Sequence, residues 1–253
     1  MNTDLIKAHL NLNAVLVNLE DLVVLDAEMA ALSKGWNLSV QFIVRKGPSA
    51  YIQFENGTCT VRRGRCKKPS VILYFFSPAH LVKMFDGKAQ PVLLKGFTKL
   101  GFLMKDFPKL TARMEHYLKP TPELLADKNY LAVNTRFTIT TAAFAIRELG
   151  LVEPVARMIA SHIHKGVTLI KVLPNGPSAM LKFDNGTIEA EKGDFEKPMS
   201  AMLFRNLKVA NDILNQKLDA FTAIATGDLR PRGQIGMIDS VSLLLDRIPL
   251  YLG

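Results

Sequence analysis

The stretch Gly47-Pro48-Ser49-Ala50-Tyr51-Ile52-Gln53-Phe54-Glu55-Asn56-Gly57-Thr58 recurs as Gly176-Pro177-Ser178-Ala179-Met180-Leu181-Lys182-Phe183-Asp184-Asn185-Gly186-Thr187. The Gly-Pro-Ser opening, the apolar alternation and the Asn-Gly pair are all kept. The offset of 129 residues then holds without a gap. Gly64 falls on Gly193, Lys68-Pro69 on Lys197-Pro198, and Phe75 on Phe204. Farther on, Tyr117-Leu118 falls on Tyr251-Leu252 at an offset of 134. A repeat of this length means two copies of one structural plan. Pro120 and Pro122 mark the join, so the units are placed at 1–120 and 121–253.

Each copy has the same local grammar. Trp36, Leu38, Val40 and Phe42 alternate, and so do Ala50, Ile52 and Phe54, which marks half-buried strands. Asn56-Gly57 and Asn185-Gly186 are strong tight-hairpin signals, because both central positions need positive φ. Further strands are expected at 58–63 and 70–76, and at 187–192 and 199–204. Ser77, with Pro78 after it, and Asn206 are helix N-caps. The helices that follow are expected to end at Gly96 and Gly227, each before a brief strand at 97–100 or 228–232. Leu103, Phe107, Leu110, Met114 and Tyr117 line one face of a terminal helix; Ile235, Ile238, Ser242, Leu245 and Ile248 do the same in the second copy, with one polar break. Helical sequence precedes each sheet, at 4–33 and at 130–149 and 153–164. The sum is an α+β plan, with helices packed on antiparallel hairpins.

Two further stretches carry a family resemblance. Gly87-Lys88-Ala89-Gln90-Pro91, followed by Gly96 and Gly101, resembles the C-terminal signature of the sterol carrier protein type 2 (non-specific lipid-transfer) family. So does Lys217-Leu218-Asp219, followed by Gly227 and Gly233. The family pattern is Gly-Lys-Leu-x-Pro, a short helix, a glycine, a short strand, a second glycine and an apolar terminal helix. The second copy keeps the spacing but has Gln216 and Ala220 where Gly and Pro are usual. The first keeps Gly87 and Pro91 but is shorter before Gly96. The resemblance covers about 36–118 and 167–252. It implies two tandem units, each a five-stranded mixed sheet covered by helices. It also implies a tunnel for sterols, acyl chains or phospholipids between sheet and terminal helix. The walls it suggests are Phe75, Leu81, Phe85, Leu94, Phe102 and Phe107 in the first unit. In the second they are Phe204, Ile213, Leu214, Phe221, Ile235 and Ile238. A plain core reading of these same side chains stands beside it.

Catalytic chemistry finds no footing. There is no phosphate-binding Walker loop, no Gly-x-Ser-x-Gly and no His-Glu-x-x-His. His162 and His164, read as helical, point to different faces and make a poor metal pair. Asp239, Asp246 and Arg247 read as a solvated charge group on the terminal helix. Gly227-Asp228-Leu229-Arg230-Pro231-Arg232-Gly233 reads as a strand with exposed arginines rather than a phosphate loop. No catalytic residue, metal or cofactor is assigned, and the chain is expected not to be an enzyme. Cys59 and Cys66 match no paired motif and suggest a reducing compartment. With no secretory pattern and no long unbroken apolar run, the expected location is the cytoplasm.

The formal net charge is +9, from 32 Lys and Arg against 23 Asp and Glu. Residues 1–120 hold 17 basic and 9 acidic side chains, whereas 121–253 hold 15 and 14. The excess gathers at Arg62, Arg63, Arg65, Lys67 and Lys68, a solvated hairpin end or a contact for anionic membrane or an acidic partner. No aromatics interleave with them, which counts against single-stranded nucleic acid. The leading expectation is a lipid-binding or lipid-transfer protein. The alternatives are an accessory protein presenting a lipid-like intermediate (an isoprenoid quinone precursor or acyl thioester) to partner enzymes, and a nucleic-acid binder on the same scaffold.

Overall fold

The computed structural model describes residues 2–252, which divide into two compact units between His116 and Tyr117. Unit 1 opens with α1 (Thr3–Leu10) and α2 (Leu19–Leu25), joined by a wide turn at Asn11–Val15 and a tight one at Leu16–Asn18. By length and composition the whole stretch Thr3–Leu25 passes as a membrane span. Ile6, Ala8, Leu10, Leu12, Ala14, Leu19 and Leu22 are nevertheless buried to 1% exposure or less, so it is packed as a core helix. α3 (Ala27–Ser33) follows, capped by the Asp26 carboxylate, which accepts from Met29 N at 3.0 Å.

The first sheet contains β1 (Asn37–Val44), β2 (Ser49–Glu55), β3 (Thr58–Arg63), β4 (Val71–Phe75) and β5 (Val92–Lys95), in the order β3-β2-β1-β4-β5. β1 and β4 run parallel and the other pairs antiparallel. Strand β1 is buried on both faces. Leu38, Val40, Phe42 and Val44 alternate with Ser39 and Gln41, which are 3% and 2% exposed. Those two polar side chains hold the basic loop after β3. Gln41 Nε2 donates to the carbonyls of Phe42, Ala50 and Gly64, and its Oε1 accepts from Cys66 N. Ser39 and Ser70 bond reciprocally through hydroxyl and backbone N–H.

Unit 2 repeats the plan. α6 (Pro122–Ala126), α7 (Lys128–Val152) and α8 (Pro154–Ser161) precede β6 (Lys165–Val172), β7 (Ser178–Asp184), β8 (Thr187–Lys192), β9 (Ser200–Phe204) and β10 (Leu229–Gly233). The order β8-β7-β6-β9-β10, with β6 parallel to β9, matches the first sheet. Both units are therefore five-stranded mixed sheets with helices, as the sequence leads one to expect. The hairpin turns confirm their chemistry: φ is 48° and 84° at Asn56 and Gly57, and 47° and 83° at Asn185 and Gly186. So do the caps of α4 (Pro78–Phe85) and α9 (Leu207–Leu214). Ser77 accepts from His80 N, and Asn206 from Val209 N.

The region after those helices corrects the sequence reading. α4 ends at Phe85, with Gly87 in the left-handed region beyond it, and β5 comes before Gly96 instead of after it. Residues 97–100 are helical turns rather than a strand. Gly96 and Gly233 occupy equivalent places, each pressed against the backbone where β4 or β9 begins. Gly227 closes an extra helix, α10 (Ala220–Ala225), for which unit 1 has no counterpart. Residues 88–95 thus cover the path that takes 217–232 in unit 2. The glycine order was right, but a glycine after a strand and one after a helix look alike in sequence.

The terminal helices also differ from expectation in one copy. In α5 (Phe107–Leu118) Leu110, Met114 and Tyr117 are buried as read. In α11 (Ile235–Leu245), followed by α12 (Pro249–Leu252), the buried positions are Met237, Ile238, Val241 and Leu244, and Ile235 is 58% exposed. Gly166 on β6 explains the shift. A Cβ there would stand 2.3 Å from Met237 Cε and 2.8 Å from Met199 Sδ. The missing side chain leaves a hole, and α11 turns Met237 into it.

Candidate functional site

In unit 2 the segment between α8 and β6 faces the start of α11 across an open groove of ≈ 500 Å³. Its residues are His162, Ile163, His164 and Lys165 on one side, and Gln234, Ile235, Gly236, Met237 and Ser240 on the other. The volume lies within the range of small-ligand sites, about 300–1,000 Å³. The floor is apolar: Ile163 and Met237 are 6% and 5% exposed. Gly236 has open space around its missing side chain, so the helix backbone forms part of the wall. The rim is polar and carries the Lys165 ammonium, while no acid lines the groove. This arrangement suits a ligand with an apolar body and an anionic or polar head.

Two of the polar side chains in the groove bond within their own helical segments. Ser240 Oγ donates back to Gly236 O at 2.9 Å, which occupies its proton within the helix. His162 ends α8 with Nδ1 2.8 Å from Met158 O. The two histidines do line one groove, because α8 stops at Ser161 and they are not on a common helix. Among the described residues no group of three His, Cys, Asp or Glu side chains could hold a metal.

The wall residues read from sequence are dispersed. Phe75, Leu81 and Phe204 are fully buried, and Phe102 and Ile238 nearly so. Phe85, Phe107, Ile213 and Leu214 are half-buried, whereas Leu94 and Phe221 are 53% and 83% exposed. Ile235 alone among them lines the groove. In unit 1 Phe102 meets Trp36 edge-on at 4.9 Å, Trp36 meets Phe54 at 5.1 Å, and Phe107 lies 5.7 Å from Phe102. These four rings form one cluster between β2 and the start of α5. Arg62, Arg63, Arg65, Lys67 and Lys68 are all exposed.

One feature escaped the sequence reading. The Glu153 carboxylate, fully buried, caps α8 by accepting from Ala156 N at 2.5 Å and pairs with Arg247 Nη2 at 2.7 Å. Unit 1 repeats this with Asp26, the cap of α3, and Arg113 Nε at 2.7 Å. In each unit the ion pair ties the region of the terminal helix to the start of the last helix before the sheet. Arg247 is therefore not part of a solvated group on its own helix. Its guanidinium is held charged even more firmly than usual by the Glu153 bond, and burial, then the Glu153 charge, raises the Tyr251 phenol. Extending the 134-residue offset back from Tyr117 and Tyr251 would have paired Arg113 with Arg247.

No family model matches the chain, and neither does any curated protein. Solved structures similar to it include a ubiquinone synthesis protein, UbiJ-SCP2, with 17% identity and a TM-score of 0.33 over 41% of this chain and 92% of that one. A crystal structure of sterol carrier protein 2 has 21% identity and a TM-score of 0.32, over 42% and 88%. A possible sterol carrier protein from Thermus thermophilus has 20% identity and a TM-score of 0.32, over 42% and 82%.

Proposed function

We propose that the chain is a non-enzymatic carrier of a lipid or similar long amphiphile, held by unit 2 between β6 and α11. The groove carries this reading: an apolar floor of Ile163 and Met237, a wall of helix backbone at Gly236, and a rim bearing Lys165 without an opposing carboxylate. Burying an acyl chain there is favourable by about 25 cal/mol per Å² of apolar surface removed from water. Met237, which lines the groove beside Gly166, is unbranched and can yield to chains of different shape.

A fluorescent fatty acid binds the full chain, and natural lipids displace it, if this reading holds. Ile235→Asp is the sharpest test, because the residue is exposed, its loss does not disturb the core, and a carboxylate there opposes both the apolar body and an anionic head. The expected result is a tenfold or greater rise in Kd with an unchanged circular dichroism spectrum. Unchanged affinity would move the ligand elsewhere, and no binding in wild type would remove the carrier reading.

A carrier must also meet a membrane. The exposed cluster Arg62, Arg63, Arg65, Lys67 and Lys68 is proposed as an electrostatic contact for anionic headgroups, each charge adding about 1 kcal/mol at such a surface. Transfer from anionic vesicles is expected to exceed transfer from neutral ones, and the difference to shrink as salt shortens the screening length to about 10 Å at 0.1 M. Arg62→Ser/Arg63→Ser/Arg65→Ser slows the anionic case alone. Equal stopped-flow rates at low and high salt would make the cluster an ordinary solvated hairpin end.

A further inference from the structure

Unit 1 carries an apolar stripe on its outside. Leu94 lies in β5, one residue before its end, and is 53% exposed. Phe97, Leu100 and Met104, on the helical turns that follow, are 64%, 44% and 74% exposed. The last three stand at i, i+3 and i+7, which is one face of a helical backbone. Phe102 points the other way, buried against Trp36 and Phe54. Gly96 lies with φ at 101° against the backbone of Ser70 and Val71. The segment is thus anchored on one side and turns a large apolar face outward, an arrangement that core packing does not require.

Its flanks are basic. Lys95, Lys99, Lys105 and Lys109 are exposed, and from Gly87 to Met114 the sole acid is Asp106. Ser70, which abuts Gly96, ends the loop that carries Arg65, Lys67 and Lys68, so the stripe adjoins that loop. We infer that this stripe is a membrane-docking surface: Phe97, Leu100 and Met104 enter the interface of an anionic bilayer while the flanking lysines reach the headgroups. Long basic side chains beside an exposed apolar face match the boundary between acyl chains and headgroups. A second copy docked stripe to stripe is a poorer occupant, because it would set the exposed Lys95, Lys99, Lys105 and Lys109 against their own like charges. The inference extends the membrane contact proposed for the basic loop and rests on the carrier reading for its purpose, though not for its test.

The full chain is sedimented with phosphatidylcholine vesicles, with and without one-third phosphatidylserine. Wild type is expected to bind the anionic vesicles, and Phe97→Ser/Leu100→Ser/Met104→Ser to bind them at least tenfold more weakly. These residues are exposed, so the variant keeps its fold by circular dichroism and its affinity for fluorescent fatty acid in solution. Phe97→Trp is expected to shift its emission to the blue when anionic vesicles are added. Wild-type binding by the triple serine variant, an unmoved Trp emission, or self-association abolished by that variant without vesicle binding would each overturn the inference. If fatty acid fails to bind wild type while vesicles still capture it, the carrier reading falls and the docking surface stands.

Discussion

Arg247→Met is expected to destabilise unit 2 by about 3–5 kcal/mol, because it leaves the Glu153 carboxylate buried without its countercharge. Glu153 has no exposed surface, so water does not replace the lost partner. Its remaining bonds, from Ala156 N and at 3.4 Å from the Tyr251 hydroxyl, do not neutralise it. Arg113→Met is expected to cost less, about 1–3 kcal/mol, since the Arg113 side chain is 36% exposed and its pair with Asp26 is partly screened. Denaturant titration followed by far-UV circular dichroism measures both, with the single Trp36 reporting unit 1. An Arg247→Met variant within about 1 kcal/mol of wild type would mean that the pair is decorative. Adding Glu153→Gln should recover part of the loss, because an amide keeps the cap and removes the charge. The pH dependence has a definite sign. The Tyr251 phenol is raised above its ordinary value of 10.0, so its contribution is complete below that pH and fades as alkali rises through the folded value.

Gly233→Ala is the second large effect. A Cβ at Gly233 would stand 2.0 Å from Met199 O, on a backbone with φ at 86°. The clash is with backbone, which cannot rotate away, so β10 must leave β9. A loss of roughly 3 kcal/mol or more is expected. The groove should suffer too, since α11 begins two residues later. Gly227→Ala is the control: it shares the positive φ of 75° but has nothing within 4 Å, and should cost only about 1–2 kcal/mol. Equal losses at the two positions, measured by the same titration, would show that conformation rather than contact decides.

These two glycines also show how far the sequence could be read. The repeat of Gly47–Thr58 at Gly176–Thr187 located both sheets, since alternation and an Asn-Gly turn depend on neighbours in the chain. Ser77 and Asn206 were legible for the same reason: a cap is a bond across three residues. Matching Gly96 to Gly227 failed because both positions suit a glycine, and only the backbone of Ser70 or Met199 beside it tells which strand start it abuts.

The sequence by itself determined the duplication, the α+β class, the hairpins and caps, and the uneven charge. All of these follow from local bonding or from counting. Tertiary structure alone decided which face of α11 turns inward, because that depends on the side chain missing at Gly166, far away in the chain. It also decided that Glu153 and Asp26 meet Arg247 and Arg113, and that His162, His164 and Lys165 share a groove with Ile235 and Met237. It left Phe97, Leu100 and Met104 outside while Phe102 went in. Burial of an apolar residue is set by what the rest of the chain brings against it, and helical spacing names the two faces without saying which one finds a partner.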